Sequence, residues 1–512
     1  MSHELKKTLI FVAVAVLLMG AALVNIPDHR KDVVYDDKGQ KFFPDFVDPD
    51  SCTSLEVVDV DNDTAVVTPF KVQFKDGKWT IPSHNDYPAD GKDRLAKTAT
   101  GVMGLTKDTL SSDRVEDQEA LGVIDPLDPK ASVKGRGERV TLKDASDKVL
   151  ADFILGKEVK GRTDQRYVRV PGQKRTYAVN VKADISARFA DWIETNLLKL
   201  DTGRVRTIAF DSTKVDTAGS RPQLVPGEVV TVSRKGASDP WTIDGKPIPE
   251  GKELDTDKLS SLTSGLGDVK IVDVQRKPEG LTRDLIVTGD LKAMTSREAY
   301  VSLLRRGFFP DPQREGRVYS SQGSMVVSTD EGAVYTLRFG EQAIAGGEFT
   351  PEPAKKDQAK ADPSKPGGVE SRYLMVTIAF DPKLLPPLPD PDAGKPLAIP
   401  DDVFKRNPGD PQYEAQQKAA KEKTDRRKAE EDKRVADAEA KVKELSDRFA
   451  GWYYLTPDSA YKSLALDRTS LIRDKQAKPA PGGPPGGFPG GFPGGGGFPG
   501  GLGGVPNPHG GN

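Results

Sequence analysis

The sequence predicts an α+β protein built from tandem repeats, each a mainly antiparallel sheet with one covering helix. Three observations lead to this prediction: an apolar run near the N-terminus, two stretches in which the same motifs return in the same order, and short segments that alternate apolar and polar residues. With 512 residues the chain is too long for one ordinary core, so two or three domains are expected.

The N-terminal segment predicts a membrane anchor. Residues 8–26 read TLIFVAVAVLLMGAALVNI, an uncharged run about long enough to cross a hydrocarbon core of roughly 30 Å. Lys6 and Lys7 precede this run, so the positive-inside rule keeps the N-terminus in the cytoplasm. We therefore expect a single-pass protein of the cytoplasmic (inner) membrane with its bulk on the extracytoplasmic or periplasmic side. A cleaved signal peptide is the alternative, because residues 20–22 (GAA) are small.

The ectodomain contains two stretches with a shared pattern, which we interpret as a first repeat at 51–203 and a second at 204–384. Both contain a Trp-Thr-Ile strand start, at Trp79 and Trp241, and later a strand pair ending in Gly, followed by Arg-Tyr. The order is kept while the spacing grows, as loop insertions in a second copy would produce. The hypothesis predicts equivalent, buried places for the two Trp side chains under their helices, and separate cores.

Local signals define the elements of each repeat. Asp76-Gly77 suits a hairpin turn that requires positive φ. The segment RLAKTATGVMGL predicts one covering helix, capped by Asp90 with Asp93 three residues later, and DKLSSLTSGLGDV predicts the second.

These motifs carry a resemblance to a known family. The order KDGKWTI, YPAD, a short helix, ALGVIDP and RYVRV resembles the bacterial family called domain of unknown function 4340. Some members of that family are similar to auxiliary subunits of gliding-motility-type ABC transporters. The resemblance covers residues 51 to about 200, is weaker in the second repeat, which has no match to YPAD or LGVIDP, and extends weakly to FAGWYY at 449–454. It implies a fold and a cellular place, and it transfers no catalytic residues.

The remaining boundaries follow composition. We expect a cytoplasmic stub and anchor at 1–27, a linker at 28–50, a Pro-rich linker at 385–411, a charged helix with a short aromatic and helical segment at 412–475, and a disordered Gly/Pro/Phe tail at 476–512. In the charged helix the apolar residues occur late, at spacings of three and four: Val435, Ala438, Val442, Leu445, Phe449 and Trp452. This stripe predicts either a partner helix or coiled coil, or docking on the protein's own domain.

Charge and residue counts exclude several functions. The formal net charge of -2 argues against a nucleic-acid partner, which requires a concentrated basic surface. Among the four histidines only His84 lies in a predicted globular region, where a surface loop is expected, so a His-based triad would depend on His84 alone. The single cysteine, Cys52, rules out an intrachain disulfide and a cysteine-rich metal site.

Two further motifs fail as chemical sites. Asp59, Asp61 and Asp63 resemble the start of a calcium loop, but Thr64 and Phe70 occupy the positions of its Gly and bidentate Glu. The S-x-x-K motif from Ser459 to Lys462 lies in a short helical segment, where we interpret it as chance.

The sequence thus predicts no catalytic, cofactor-binding or metal-binding residues, and no cofactor. We expect a non-catalytic, membrane-anchored extracytoplasmic binding or scaffolding protein with a protein partner, as an auxiliary component of an ABC-type transporter or envelope complex. The alternative is an envelope-polymer hydrolase that uses carboxylates, since carboxylate pairs are abundant in a chain that is 30% charged.

Overall fold

The computed structural model of the chain describes residues 37–60, 66–216, 222–287, 297–311, 316–344, 370–389, 411–465 and 467–475. The predicted anchor and the predicted tail lie outside these ranges. The described part is α+β with mostly antiparallel sheets, which confirms the predicted class at that level. None of its helices combines the length and the apolar character needed to span a bilayer.

The first sheet has nine strands in the order β4-β3-β2-β1-β6-β7-β8-β9-β5. Their bounds are β1 Cys52–Val60, β2 Val67–Lys75, β3 Lys78–Ile81, β4 Tyr87–Pro88, β5 Thr109–Ser112, β6 Glu138–Asp144, β7 Val149–Val159, β8 Arg162–Arg169 and β9 Thr176–Asn180. Buried and partly exposed residues alternate along β6, so one face of the sheet packs on the core.

The second sheet has eight strands in the order β14-β13-β10-β19-β20-β21-β22-β16. The strands of this half are β10 Val205–Asp211, β11 Lys214–Asp216, β12 Gln223–Val225, β13 Val229–Ser233, β14 Thr242–Ile243, β15 Lys252–Leu254, β16 Asp273–Arg276, β17 Phe308–Asp311, β18 Arg317–Ser320, β19 Ser324–Thr329, β20 Ala333–Ile344, β21 Glu370–Phe380, β22 Trp452–Pro457 and β23 Ile472–Asp474. Three small two-stranded sheets, β11-β12, β15-β23 and β17-β18, accompany it.

The α-helices of the described ranges are α1 Lys92–Met103, α2 Gln118–Leu121, α3 Thr256–Gly267, α4 Arg297–Arg305, α5 Pro411–Ala450 and α6 Asp458–Leu464. Helix α1 buries Leu95, Ala99 and Val102, and α3 buries Leu259, Leu262 and Leu266. These residues recur at spacings of three and four, so each helix packs one apolar stripe on the core.

The second sheet continues beyond the expected boundary at residue 384. Strand β22 follows the long helix α5 and lies between β21 and β16, pairing with both. Strand β23 pairs with β15. Residues 412–475 are therefore part of the second half of the fold, and the expected Pro-rich linker is one side of an insertion between β21 and β22.

The two halves share one continuous core, which differs from the expected separate cores. A single cluster of buried apolar side chains includes Leu55 and Phe153 of the first sheet and Ile208 and Leu337 of the second. A second, smaller cluster around Phe308 covers the opposite face of the second sheet. The halves also meet directly, because the Tyr87 and Trp452 rings pack edge to face with centroids 4.9 Å apart.

The segment before β1 is packed, although a linker was expected over residues 28–50. Phe46 is fully buried and Phe42 packs on Tyr177 with ring centroids 5.4 Å apart. The backbone N–H of Phe42 donates to the carbonyl of Leu105 at 3.0 Å. Aromatic burial together with backbone pairing holds this segment on the first sheet.

Local predictions had mixed outcomes. Asp76 and Gly77 have φ of 53° and 76° between β2 and β3, which confirms the predicted hairpin turn. The cap of α1 is Gly91, with no side-chain hydrogen bond, so the prediction of Asp90 was wrong. A Cβ at Gly91 would lie 3.2 Å from the Trp79 ring, so a small residue is favoured there.

Trp79 and Trp241 are less buried than expected. Trp79 lies within β3, whereas Trp241 lies one residue before β14, under the guanidinium of Arg234 at 4.7 Å from the ring centroid. Both side chains are half-buried against the shared core.

Candidate functional site

The long helix α5 has an exposed N-terminal half. Every described side chain from Glu414 to Lys433 is exposed, and we call this stretch the exposed arm (residues 414–433). Its residues are mostly Ala, Lys, Glu and Arg, which have high helix propensity. At about 1.5 Å per residue the whole helix Pro411–Ala450 is roughly 60 Å long. The solvated N-terminal half agrees with the charge pattern of the sequence.

The C-terminal half of α5 docks on the protein itself. Val442, Leu445 and Phe449 are buried in the shared core. The Phe449 ring packs edge to face on Tyr454 of β22, with centroids 6.3 Å apart. Of the two alternatives for the apolar stripe, docking on its own domain is the one observed. The apolar stripe is therefore unavailable to a partner helix.

Polar contacts fix the base of the helix. Arg448 donates from Nη2 to the carbonyl oxygens of Glu194 and Asn196, at 3.1 and 2.9 Å, in the segment that connects the two halves. Lys277 donates from Nζ to the carbonyl of Phe449 at 3.1 Å. A cation at this end interacts favourably with the helix dipole. The C-terminal half of α5 is therefore held on the protein by buried and polar contacts, while the side chains of the exposed arm are solvated.

The chain that leads from β21 towards the helix runs beside it. The side chain of Arg434 donates from Nη2 to the carbonyl of Pro386 at 2.7 Å, and Arg427 donates from Nη2 to that of Leu388 at 3.1 Å. From Pro386 to Leu388 the contacts of this segment move towards the N-terminus of α5. After β21 the chain therefore runs beside α5, the same helix that leads back to β22.

His84 lies at the contact between the halves, where a surface loop was expected. Its ring stacks on Phe189 with centroids 4.3 Å apart. Burial lowers the pKa of His84 to about 4, so the ring is neutral at pH 7. Asp273 of the second half lies 3.8 Å from Nε2, and burial raises the pKa of this carboxyl.

Ser83, His84 and Asp273 come together without forming the geometry of a nucleophilic triad. Ser83 Oγ lies 3.1 Å from His84 Nδ1 and accepts a hydrogen bond from the backbone N–H of Lys71. The 3.8 Å separation between His84 and Asp273 exceeds hydrogen-bond distance. A histidine with a pKa near 4 is also a weak base at neutral pH.

Among the described residues, two basic side chains of the second half have a pKa well below its ordinary value. Burial, together with the charge of Arg338, lowers the pKa of Lys277 to about 7. Burial and the charge of Arg317 lower that of Arg338 to about 10. Lys277 binds a helix-terminal carbonyl and Arg338 donates to Thr377 Oγ1 at 3.3 Å. Both contacts are to neutral oxygens, which fits structural roles.

A buried ion pair attaches the C-terminal segment to the second sheet. Asp458 accepts from Arg372 at 2.8 Å, from Lys462 at 2.8 Å and from Gln342 at 2.9 Å. Lys462 therefore contacts Asp458, and Ser459 is exposed one residue along, so the S-x-x-K motif forms no described site. The sequence signal for this network is the Arg-Tyr pair at Arg372, whose repeat pattern does not indicate Asp458 as the partner.

The remaining candidate groups do not assemble a metal site within the described ranges. No cluster of three or more His, Cys, Asp or Glu side chains suited to a metal ion occurs there. Asp59 is exposed on β1, and Asp61 and Asp63 lie outside those ranges. Cys52 is buried, and burial raises the pKa of its thiol to about 11.

A shallow cleft of about 200 Å³ lies beside β5. It is lined by Asp37, Lys38, Lys107, Asp108, Thr109, Leu110 and Tyr177. The Tyr177 hydroxyl donates to Asp37 at 2.6 Å, and this hydrogen bond holds the pKa of Asp37 below its usual range. Asp37 also lies 3.5 Å from Lys107 Nζ, so the polar groups of the cleft mainly bind one another.

Comparison with known proteins yields one family. A family model described as "Domain of unknown function (DUF4340)" matches residues 79–284. This range runs from β3 in the first half to the segment after β16 in the second, so it supports the family resemblance without coinciding with either expected repeat. No curated protein and no solved structure matches the chain.

Proposed function

We propose that the chain is a non-catalytic binding or scaffolding protein, anchored in the cytoplasmic membrane and facing the extracytoplasmic side. In this proposal it is an auxiliary component of an ABC-type transporter or another envelope complex. The observation that carries the proposal is the exposed arm, a solvated helix supported by a buried base. Such an element adds surface without adding to the core, which suits contact with another protein.

We also propose that the two halves are tandem copies. The strand orders correspond position by position once β4 is set aside: β3-β2-β1-β6-β7-β8-β9-β5 against β14-β13-β10-β19-β20-β21-β22-β16. One helix, α1 or α3, precedes the last strand of each order in sequence. This correspondence includes β22, although a long insertion separates β22 from the other strands of the second half in sequence.

Two matched details support the duplication. Arg166 on β8 donates to the carbonyl of Gly156 on β7 at 2.9 Å, and Arg372 on β21 donates to that of Gly340 on β20 at 2.7 Å. In each half a short helix is followed within two residues by a glycine with positive φ, Gly122 at 71° and Gly307 at 82°. The second glycine lies in RGFFPDP, which is the counterpart we assign to LGVIDP.

The partner role is tested by site-specific photo-crosslinking in intact cells. A photoreactive residue at Lys421, in the exposed arm, should give a discrete adduct of higher mass. The same residue at Lys134, exposed on the first half, serves as the matched control and should give much less. Equal or absent adducts at both positions would contradict a partner-binding arm.

The anchoring role needs a separate test. Protease added outside spheroplasts should digest the chain beyond about residue 28, and carbonate washing should leave the N-terminal fragment in the membrane, because residues 8–26 are apolar. Release of intact protein by carbonate would contradict the anchor.

A further inference from the structure

The middle of the exposed arm carries a concentrated positive charge, whereas the whole arm has seven basic and six acidic residues. Residues 418–428 read KAAKEKTDRRK, in which six basic residues stand against Glu422 and Asp425. The six are Lys418, Lys421, Lys423, Arg426, Arg427 and Lys428. Six positive minus two negative charges leaves +4 over this short segment, in a chain whose net charge is only -2. The segment is therefore locally basic, although Glu430, Glu431 and Asp432 follow it in the next turn of the helix.

These basic side chains surround the helix. All six are exposed. At 3.6 residues per turn their positions point in directions spread around the whole circumference. A flat anionic surface would therefore meet only part of them at once. A concave surface that encloses the helix on the sides away from residues 386–388 would meet most of them.

The composition of the arm excludes two other modes of contact. The apolar side chains of the exposed arm are alanines alone: Ala415, Ala419, Ala420 and Ala429. Without larger apolar residues the arm has no coiled-coil seam and no face that would insert into a membrane. Antiparallel pairing with a second copy about Arg426 would bring the two Arg426 side chains against one another.

We propose that residues 418–428 bind an acidic groove on a partner protein. This inference rests on the proposed binding function and specifies its contact. The attraction is mainly between exposed charges, so it weakens as salt screens them over about 10 Å at 0.1 M ionic strength. The contact sets the specificity and the association rate of the complex.

The test neutralises the charge and keeps the helix. The arm variant replaces Lys418, Lys421, Lys423, Arg426, Arg427 and Lys428 by Gln, a residue of similar helix propensity. The control variant replaces six exposed lysines of the first half by Gln: Lys75, Lys78, Lys130, Lys134, Lys160 and Lys174. The two variants lose the same formal charge, and the arm variant also loses the hydrogen bond from Arg427 to the carbonyl of Leu388.

Two measurements are made on the full chain. The first is recovery of the native complex from detergent-solubilised membranes. The second is the affinity for poly-L-glutamate of the protein held in nanodiscs of phosphatidylcholine. The arm variant should lose about tenfold or more in both, since each exposed ion pair contributes modestly and six are removed. The control should stay within about twofold of the unmodified protein.

The outcomes are separable. If the arm variant keeps the complex, the acidic-groove proposal is wrong, and the Lys421 crosslink then decides independently whether the arm binds a partner at all. If the six charges instead control binding to phosphatidylglycerol vesicles and leave poly-L-glutamate binding unchanged, the arm recognises a membrane and the proposal is also wrong.

Discussion

Two connections at the same place in the strand order differ greatly in length. In the first half β8 and β9 are joined by residues 170–175, whereas in the second half β21 and β22 are joined by residues 381–451. Both returning strands nevertheless take the same position, next to the preceding strand and one step from the edge. Loop-closure entropy grows only slowly with loop length, so a sheet tolerates such an insertion. The comparison indicates that the residues outside the insertion, which we call the body, determine the sheet, and that the insertion adds exposed surface.

The largest expected effect comes from removing the strand that follows the insertion. A chain that ends after residue 451 lacks β22, α6 and β23, and the β22 residues Trp452, Tyr453, Tyr454 and Leu455 are buried. Truncating one buried aromatic side chain costs about 3–5 kcal/mol, so losing all of them should exceed the stability of a typical domain. We expect the second half to lose cooperative unfolding in urea, while a control chain that ends after residue 475 unfolds like the full protein. Equal unfolding curves would show that β22 is dispensable.

A smaller effect is expected at the ion pair of the second half. Replacing Asp458 by Ala leaves Arg372 buried without its carboxylate and should cost about 3–5 kcal/mol. In the first half Arg166 lies 3.8 Å from Glu138 and is more exposed, so Glu138→Ala should cost about 1 kcal/mol or less. Urea unfolding of both variants measures the difference. Similar losses would mean that the two halves do not differ in this contact.

The Asp458 carboxyl should also make the stability of the protein depend on pH in acid. Although burial raises it, the hydrogen bond from Lys462 and the charge of Arg372 hold the pKa of Asp458 below its ordinary value. Its contribution to stability is therefore present above the unfolded pKa, near 4, and is lost as the pH falls further. Asp458→Ala should remove that part of the acid sensitivity.

A smaller change is expected where the two halves meet. Because burial lowers the pKa of His84 to about 4, the unfolded chain binds a proton more readily than the folded chain. The stability from neutral His84 is present above about pH 6.5 and is lost as the pH falls towards 4. His84→Gln should remove about 1–3 kcal/mol of the pH-dependent free energy of unfolding, as measured by thermal unfolding across this pH range. An unchanged profile would place His84 outside the shared core.

Part of this architecture was predictable because its signals are local. The turn at Asp76-Gly77, the covering helices and the solvated half of α5 each depend on neighbouring residues. The apolar stripe at Val442 and Leu445 was also visible, but its spacing does not specify which surface it packs on.

Other features depend on distant contacts. The place of β22 depends on pairing with β21 and β16 across the insertion, and composition at 385–411 indicates only a stiff segment. His84 is half-buried, and Phe189, which stacks on it, lies more than a hundred positions along the chain. The exposed arm was identified as solvated from sequence, whereas its rigid base required the contacts of Arg448 with Glu194 and Asn196.

The most direct test shortens the insertion and leaves the body intact. Arg427 contacts the carbonyl of Leu388 at 3.1 Å, so a short Gly linker can join Pro389 to Ala429 in place of residues 390–428. Complex size and thermal unfolding are then measured on the same detergent-solubilised sample. The account predicts that the complex is lost while the unfolding temperature changes by only a few degrees, since the base of α5 and β22 remain. An intact complex with a folded body would contradict it.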